Sequence, residues 1–454
     1  MEFKNVYLIG IGGIGMSSLA RHFKAEGCSV GGYDKTPSGL TTQLEKEGIE
    51  IHFEDSIDLV GDNFKDKENT LVIYTPAIPK QNSELNYFFN NGYLIRKRAE
   101  VLAWLTEGKT TIAIAGTHGK TSTAAIVSHL LKTAKVPFYA LLGGISVNYQ
   151  TNYLRPENGE ASIIVVEADE YDRSFLRLHP DVAVITAIEP DHLDIYGTFE
   201  KLQEAYSDFA CLVEPNGTLI VNSSASLLKP TLAHLCSYSN KFKADCYSDN
   251  IQIKDRKYYF DAHIRDLNIE NIEIGAPGRH NIENSIAAMA SIRSILPESA
   301  KYFKEGLASF KGVWRRFEII VQNDQHVYID DYAHHPTEIE VTIQTLKELY
   351  PDKKITGVFQ PHLFTRTRDL AFEFAESLSH LDNLYLLPIY PARELPIEGV
   401  SSALILDEVS CANKKIVSKE ELLDEIRNHK PEVFLSIGAG DIDRLVPEIK
   451  AILS

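Results

Sequence analysis

Gly116-Thr117-His118-Gly119-Lys120-Thr121 constrains this chain more than any other stretch. It follows the β-branched, apolar run Thr111–Ala115 and opens the helical pattern Thr123–Leu131. Strand, glycine-rich turn, Lys-Thr and helix together make a phosphate cradle. Backbone N–H groups and the helix N-terminus face the phosphates, the lysine neutralises them, and the threonine hydroxyl reaches Mg²⁺. The spacing is a shortened one, with Ile114 where the usual P-loop has its first glycine. A bare Gly-Lys-Thr can also be an ordinary helix start. The preceding strand and both glycines favour nucleotide binding, through Gly116, Thr117, His118, Gly119, Lys120, Thr121 and Ser122.

At 454 residues the chain holds about three domains on a prior of ~150 residues each. Met1–Asn5 leads straight into a strand-like run, so no signal peptide is expected, and no apolar stretch approaches the ~20 residues that span a bilayer. The five cysteines, Cys28, Cys211, Cys236, Cys246 and Cys411, lack metal-type spacing and read as reduced thiols of a cytosolic protein. A formal charge of −17 argues against nonspecific nucleic-acid or acidic-membrane binding. Anionic ligands must then be met by local positive charge.

An α/β chain of three blocks is expected, at 1–107, 108–311 and 312–454. In the first, strand Val6–Ile9, the glycine turn Gly10–Gly15, a helix at Met16–Glu26 and strand Ser29–Tyr33 ending at Asp34 make a Rossmann-like opening. Alone, that turn suggests a nicotinamide or flavin dinucleotide, or a tight turn without a ligand. The second block carries the P-loop and a mainly parallel sheet. Its strands Ser162–Glu167 and Val182–Thr186 end at Glu167-Ala168-Asp169-Glu170 and near Asp191-His192-Leu193-Asp194. The polar, alternating region Thr218–Ile274 suggests antiparallel additions. The third block is again Rossmann-like, with strands Val327–Ile329, Ile355–Phe359, Asn383–Leu387 and Val433–Ile437.

Strand ends collect ligands in open α/β sheets, so the polar residues there are the candidates. Thr121 and Glu167 suit Mg²⁺, which prefers oxygen. His192 is either a ligand or a cap, and Glu170 and Asp172 read as solvated or hydrogen-bonded turn residues. Arg366 and Arg368 read as anion binders or solvated surface charge. His334 and His335 are neighbours that point differently, with no third ligand to support zinc. Two flanking α/β blocks around a P-loop fit neither a dehydrogenase nor a simple nucleotide switch. An ATP-driven ligase uses all three.

These residues resemble the Mur ligases of bacterial peptidoglycan synthesis over essentially the whole chain. The resemblance rests on Gly10–Met16, Arg98–Ala103, Ala115–Thr121, Glu167–Glu170, Asp191–Asp194, Gly278–Asn281, Arg315–Phe317, Asp330–Glu338 and Gln360–Asp369. The first and last two segments look like the alanine-adding branch. The resemblance implies an ATP- and Mg²⁺-dependent cytoplasmic enzyme of cell-wall synthesis, a monomer or weak homodimer. It would join L-alanine to UDP-N-acetylmuramate through an acyl phosphate. It further implies Thr121 and Glu167 on one Mg²⁺ and His192 on a second, with Lys120, His192 and Arg366 catalytic. His280, Asn281, Arg316 and Asp331 would contact ATP; Gly12, Gly13, Gly15 and Asp34 the UDP substrate; Tyr332, His334 and Arg366 the amino acid. Leu363 departs from the family, which often has arginine there. Ala205–Phe209 lacks the lysine that several sister ligases carbamylate. The rivals are a peptide-recycling ligase that adds a tripeptide to the same acid, and a nicotinamide-dependent oxidoreductase.

Overall fold

The computed structural model describes residues 3–392 and 394–454, and the side chains of Leu193 and Asp194, at the end of one motif above, lie outside the description. Three α/β sheets follow one another along the chain. In spatial order the first runs Glu50–His52, Ser29–Tyr33, Asn5–Ile9, Thr70–Tyr74 and Leu94–Lys97, all parallel. Starting in the middle and reversing at the first strand is the Rossmann order, and it opens a crevice at the carboxyl end of Asn5–Ile9, where the glycine turn lies.

Strand Thr110–Ala115 is central to the second sheet, between Val182–Ile185 and Ile163–Glu167. Its interior residues from Thr111 to Ala115 are buried, as a parallel strand covered on both faces requires. Beyond Ile163–Glu167 lie Phe138–Ser146 and the antiparallel edge strand Thr151–Leu154. On the other flank Thr218–Asn222, His234–Ser239 and Cys246–Lys254 join in parallel. This corrects the antiparallel expectation for the start of that region. Thr218–Asn222 is buried along its whole length, and alternation in the polar segments downstream had masked it. Antiparallel pairing begins only at Asp255-Arg256, a two-residue connection between neighbouring strands that no parallel pair can make. Both residues have positive φ, at 50° and 60°, as a type I′ hairpin needs.

Strand Val327–Asp331 of the third sheet pairs in parallel with Val433–Ile437, which pairs in turn with Ile355–Phe359. Asn383–Leu386 and Asn413–Ile416 continue in parallel, and Glu318–Gln322 is the antiparallel edge.

The chain divides into two compact units. One comprises residues 1–249, 262–270 and 283–308, the other 250–261, 271–282 and 309–454. Within the first unit the Rossmann sheet and the P-loop sheet share one apolar core, running from Val6, Leu19 and Phe23 to Ala113, Tyr153, Val166 and Phe209. Polar groups cross the same seam. Buried Arg21, on helix Ile14–Ala25, donates to Asn152, and the Asn152 amide donates back to the Ile14 carbonyl at 2.7 Å. The second unit has its own core, including Tyr328, Val358, Phe434 and Ile449. Among the described residues no helix is long and apolar enough to cross a membrane.

Candidate active site

Strand Thr110–Ala115 delivers the chain to Gly116, whose φ of +133° and lack of a side chain are both required: a Cβ there would meet the Thr186 hydroxyl and the Ala187 backbone. Gly119 has φ +82°, and a Cβ would lie 2.8 Å from Asn284 Oδ1. Helix Lys120–Thr133 then starts with no acidic residue in its first turn. The positive helix end, with its unpaired N–H groups, is therefore left open to an anion.

Lys120 Nζ donates to the Gly116 carbonyl and, at 2.8 Å, to Glu170 Oε1. The Glu170 side chain is only 1% exposed, so of the two readings, solvated or hydrogen-bonded, the second holds. It is the buried counter-ion of Lys120. Burial works to lower the Lys120 pKa, but the carboxylates of Glu170, Asp169 and Glu167 outweigh it and hold the ammonium above its ordinary value. Glu170 Oε2 is buried without a hydrogen-bond partner among the described residues.

Thr121 Oγ1 lies 3.1 and 3.0 Å from the two Glu167 carboxylate oxygens, and the Gly143 N–H donates to Oε2 at 3.0 Å. A side chain at Gly143 would collide with that carboxylate. The sequence did offer a sign of Gly143: a glycine doublet inside an apolar strand marks close backbone approach. His192 adopts φ +51°, and its Nε2 lies 3.9 Å from Glu170 Oε1 and 3.8 Å from Asp191 Oδ2. A hydroxyl, a carboxylate and an orphaned buried carboxylate oxygen form a hard donor set that fits Mg²⁺.

In the first sheet, Gly10 has φ +88° and Gly13 caps helix Ile14–Ala25, again with no acid in the first turn. Asp34 folds back onto this turn, accepting from Gly12 N–H at 2.8 Å. A Cβ at Gly12 would strike Asp34, and one at Gly15 would strike Arg98. At Gly13 the nearest atom would be the Gly10 carbonyl oxygen at 3.4 Å, close to ordinary contact. A cavity of about 320 Å³ is lined by Gly13, Gly15 and Arg98 from the first sheet's side and by Gly143, Glu167 and Asp169 from the second's. Arg98 donates to Asp169 at 2.9 Å across it, a role its sequence position did not reveal.

The second unit gathers another set. Asp331, at the end of its strand, accepts from Thr342 Oγ1, Ala333 N–H and Phe317 N–H at 2.8, 2.9 and 3.1 Å. Burial raises its pKa to about 6, against the Thr342 hydrogen bond and the Arg316 charge. The Arg315 and Arg316 guanidinium groups each lie 5.2 Å from the Tyr332 ring centre. His334 is held by Glu338, which accepts from its N–H at 3.0 Å. Burial lowers the His334 pKa to about 4, with Glu338 opposing and Arg366 and Arg316 adding to the shift. His280 is likewise lowered to about 4 by burial and Arg316, and its Nδ1 has no hydrogen-bond partner among the described residues. Asn281 donates to the Pro277 carbonyl at 2.8 Å. Leu363 stands at φ +72°, just before helix Phe364–Asp369, which carries Arg366. A side chain in that region costs about 1–3 kcal/mol.

Three family models cover the chain in order: "Mur ligase family, catalytic domain" at residues 5–110, "Mur ligase middle domain" at 114–292 and "Mur ligase, glutamate ligase domain" at 315–440. A UDP-N-acetylmuramate–L-alanine ligase of Parabacteroides distasonis is 49% identical over 99% of this chain and 97% of that protein. The chain belongs to the Mur ligase family. A second Mur ligase bearing the same description, from Flavobacterium johnsoniae, is 47% identical over 100% of this chain and 98% of its own. The crystal structure of the UDP-N-acetylmuramate–alanine ligase of Thermotoga maritima superposes with a TM-score of 0.81 at 27% identity, covering 98% of both chains. A murein peptide ligase from Psychrobacter arcticus shares the Mur ligase fold at a TM-score of 0.72 and 21% identity.

Proposed function

We propose that this Mur ligase joins L-alanine to the lactyl carboxylate of UDP-N-acetylmuramate, with ATP converted to ADP and phosphate. The supporting observation is the cavity that the Rossmann glycine turn and Glu167 both line. An acid held by the first sheet is thereby presented where the P-loop sheet would deliver a phosphoryl group. In this reading residues 1–107 serve the UDP substrate, 108–311 ATP, and 312–454 ATP and the amino acid.

The substrate carboxylate attacks the γ-phosphorus, the bond to the bridging oxygen breaks, and an acyl phosphate and ADP result. The amine of L-alanine then attacks the acyl carbon, and the tetrahedral intermediate expels phosphate. Lys120, kept charged by Glu170, and the helix N-terminus behind it stabilise charge on the transferring group. Thr121, Glu167 and His192 would hold Mg²⁺, which when bound neutralises phosphate charge. Gly12, Gly13 and Gly15 would receive the diphosphate, with Asp34 near the uridine. His280, Asn281, Arg316 and Asp331 would contact ATP, and Tyr332, His334 and Arg366 the amino acid, whose carboxylate suits a guanidinium fork. A cytoplasmic setting follows from the substrates.

The test is phosphate release with UDP-N-acetylmuramate and ATP, comparing no amine, L-alanine, and the tripeptide of the recycling ligase. Release that depends on L-alanine is expected. Turnover with the tripeptide alone would reassign the chain to peptide recycling, and release indifferent to the acid would remove the ligase reading.

A further inference from the structure

Cys236 and Cys246 lie far apart in function from the phosphate chemistry, on the other flank of the P-loop sheet. Cys236 sits on strand His234–Ser239, and Cys246 begins the next strand, which pairs with the first in parallel from Tyr238↔Cys246 onward. Their sulfurs are 3.5 Å apart, and the two residues are 1% and 0% exposed. The stretches bearing them are clamped by Asp245, which accepts from the Ser237 N–H and hydroxyl at 2.8 and 2.7 Å. Arg265, whose backbone N–H donates to the Asp245 carbonyl at 3.1 Å, brings its positive charge to bear on both sulfurs.

We propose that Cys236 and Cys246 are a redox couple, with Cys236 the attacking thiol and Cys246 the resolving one. Two thiols in contact are placed to close a disulfide, and at 1% and 0% exposure they meet an oxidant as the strand pair opens locally. The S–H donated by Cys246 and then the Arg265 charge pull the Cys236 thiol down, against burial. Buried Cys28 and Cys411 are instead pushed up by desolvation. The oxidant is a peroxide. The Cys236 thiolate attacks one peroxide oxygen and the O–O bond breaks, leaving sulfenic acid on Cys236 and releasing hydroxide. Cys246 then attacks that sulfur, a disulfide forms, and water leaves. In sum two thiols lose two electrons and two protons, and one hydrogen peroxide becomes two waters. Closing 3.5 Å to a bond of about 2.05 Å takes side-chain rotation and a slight approach of the two segments. The site is independent of the ligase reading.

The experiment treats the reduced full-length protein with hydrogen peroxide, quenches it with N-ethylmaleimide in denaturant, and maps the peptides by mass. A dithiothreitol-reversible crosslink between the Cys236 and Cys246 peptides, short of two hydrogens, is expected. Alkylation of both residues while exposed Cys211 becomes oxidised overturns the proposal. In Cys246→Ser, dimedone should label Cys236, whereas Cys236→Ser should leave Cys246 unlabelled; equal labelling in the two variants removes the assigned roles. Arg265→Met should slow crosslinking by about tenfold through loss of thiolate. Under reducing conditions Cys236→Ser should retain the wild-type ligation rate. The wild-type map decides the matter even where a variant fails to fold.

Discussion

The glycine turn at Gly10–Gly15 and the loop at Gly116–Gly119 both end a buried parallel strand and begin a helix, yet they are prepared for anions differently. Both helices keep acids out of their first turn. The first turn has a carboxylate, Asp34, against its Gly12 N–H, and the Arg98 beside it is itself paired with Asp169. The second has a half-buried lysine held against a fully buried counter-ion. A diphosphate that merely has to be held is served by N–H groups and close approach. A phosphoryl group that changes partners needs a fixed charge whose cost of burial is offset beforehand.

Breaking the second cradle has the largest expected effect. Lys120→Ala should lower kcat by about 10²–10³ while leaving UDP-N-acetylmuramate affinity intact. It also strands Glu170, so stability should fall by about 3 kcal/mol. The double variant Lys120→Met/Glu170→Gln should recover most of the melting temperature and none of the turnover. Recovery of both would mean the lysine is structural.

Breaking the first cradle should do the converse. Gly13→Val is accepted by the fold, since the nearest contact of its Cβ is 3.4 Å, but it places methyl groups beside the cavity. The KM for UDP-N-acetylmuramate should rise about tenfold or more, with that for ATP nearly unchanged. Parallel loss for both substrates would show that the two turns do not have separate ligands.

A site outside both cradles calibrates the comparison. Arg366→Lys keeps the charge and loses the fork, so the KM for L-alanine should rise several-fold, up to about tenfold, with ATP unaffected. Leu363→Arg should be tolerated, because any side chain at φ +72° bears the strain already present. An unchanged alanine KM in Arg366→Lys would move the carboxylate to Arg368 or His334.

The smallest effect tests where the two cradles are alike. Each helix behind them buries a histidine against a tyrosine, His22 with Tyr153 at 2.9 Å and His129 with Tyr149 at 2.7 Å, and desolvation lowers both to about 4. A folded pKa below the unfolded ~6.5 favours the neutral ring. The stability each contributes is present above 6.5 and lost as pH falls from there towards 4. His22→Gln and His129→Gln should therefore each flatten the fall in urea midpoint between pH 7 and 5. A slope equal to wild type would show that these rings take protons normally.

Much of this was legible before any coordinates. Glycine turns, strand ends and the Lys-Thr pair are local, so Asn5–Ile9, Thr110–Ala115, Thr121 and Glu167 fell where the residues suggested. What the sequence left open depended on distant neighbours. Glu170 looks like any acidic turn residue until Lys120 is seen against it, because a charge buried by pairing leaves no compositional trace. Parallel pairing of Thr218–Asn222 is decided by the strand beside it, not by the alternation in the segments downstream. Arg98 and Gly143 act on carboxylates far along the chain.

The seam between the first two sheets limits how such enzymes can be recombined. Arg21 and Asn152 are interlocked, and one apolar core runs from Val6 to Phe209. A chimera cut at residue 107 would expose half of a hydrophobic interior on each fragment. A foreign first sheet can be grafted only together with strand Thr151–Leu154 and the residues lining that interior, so the two sheets exchange as one block.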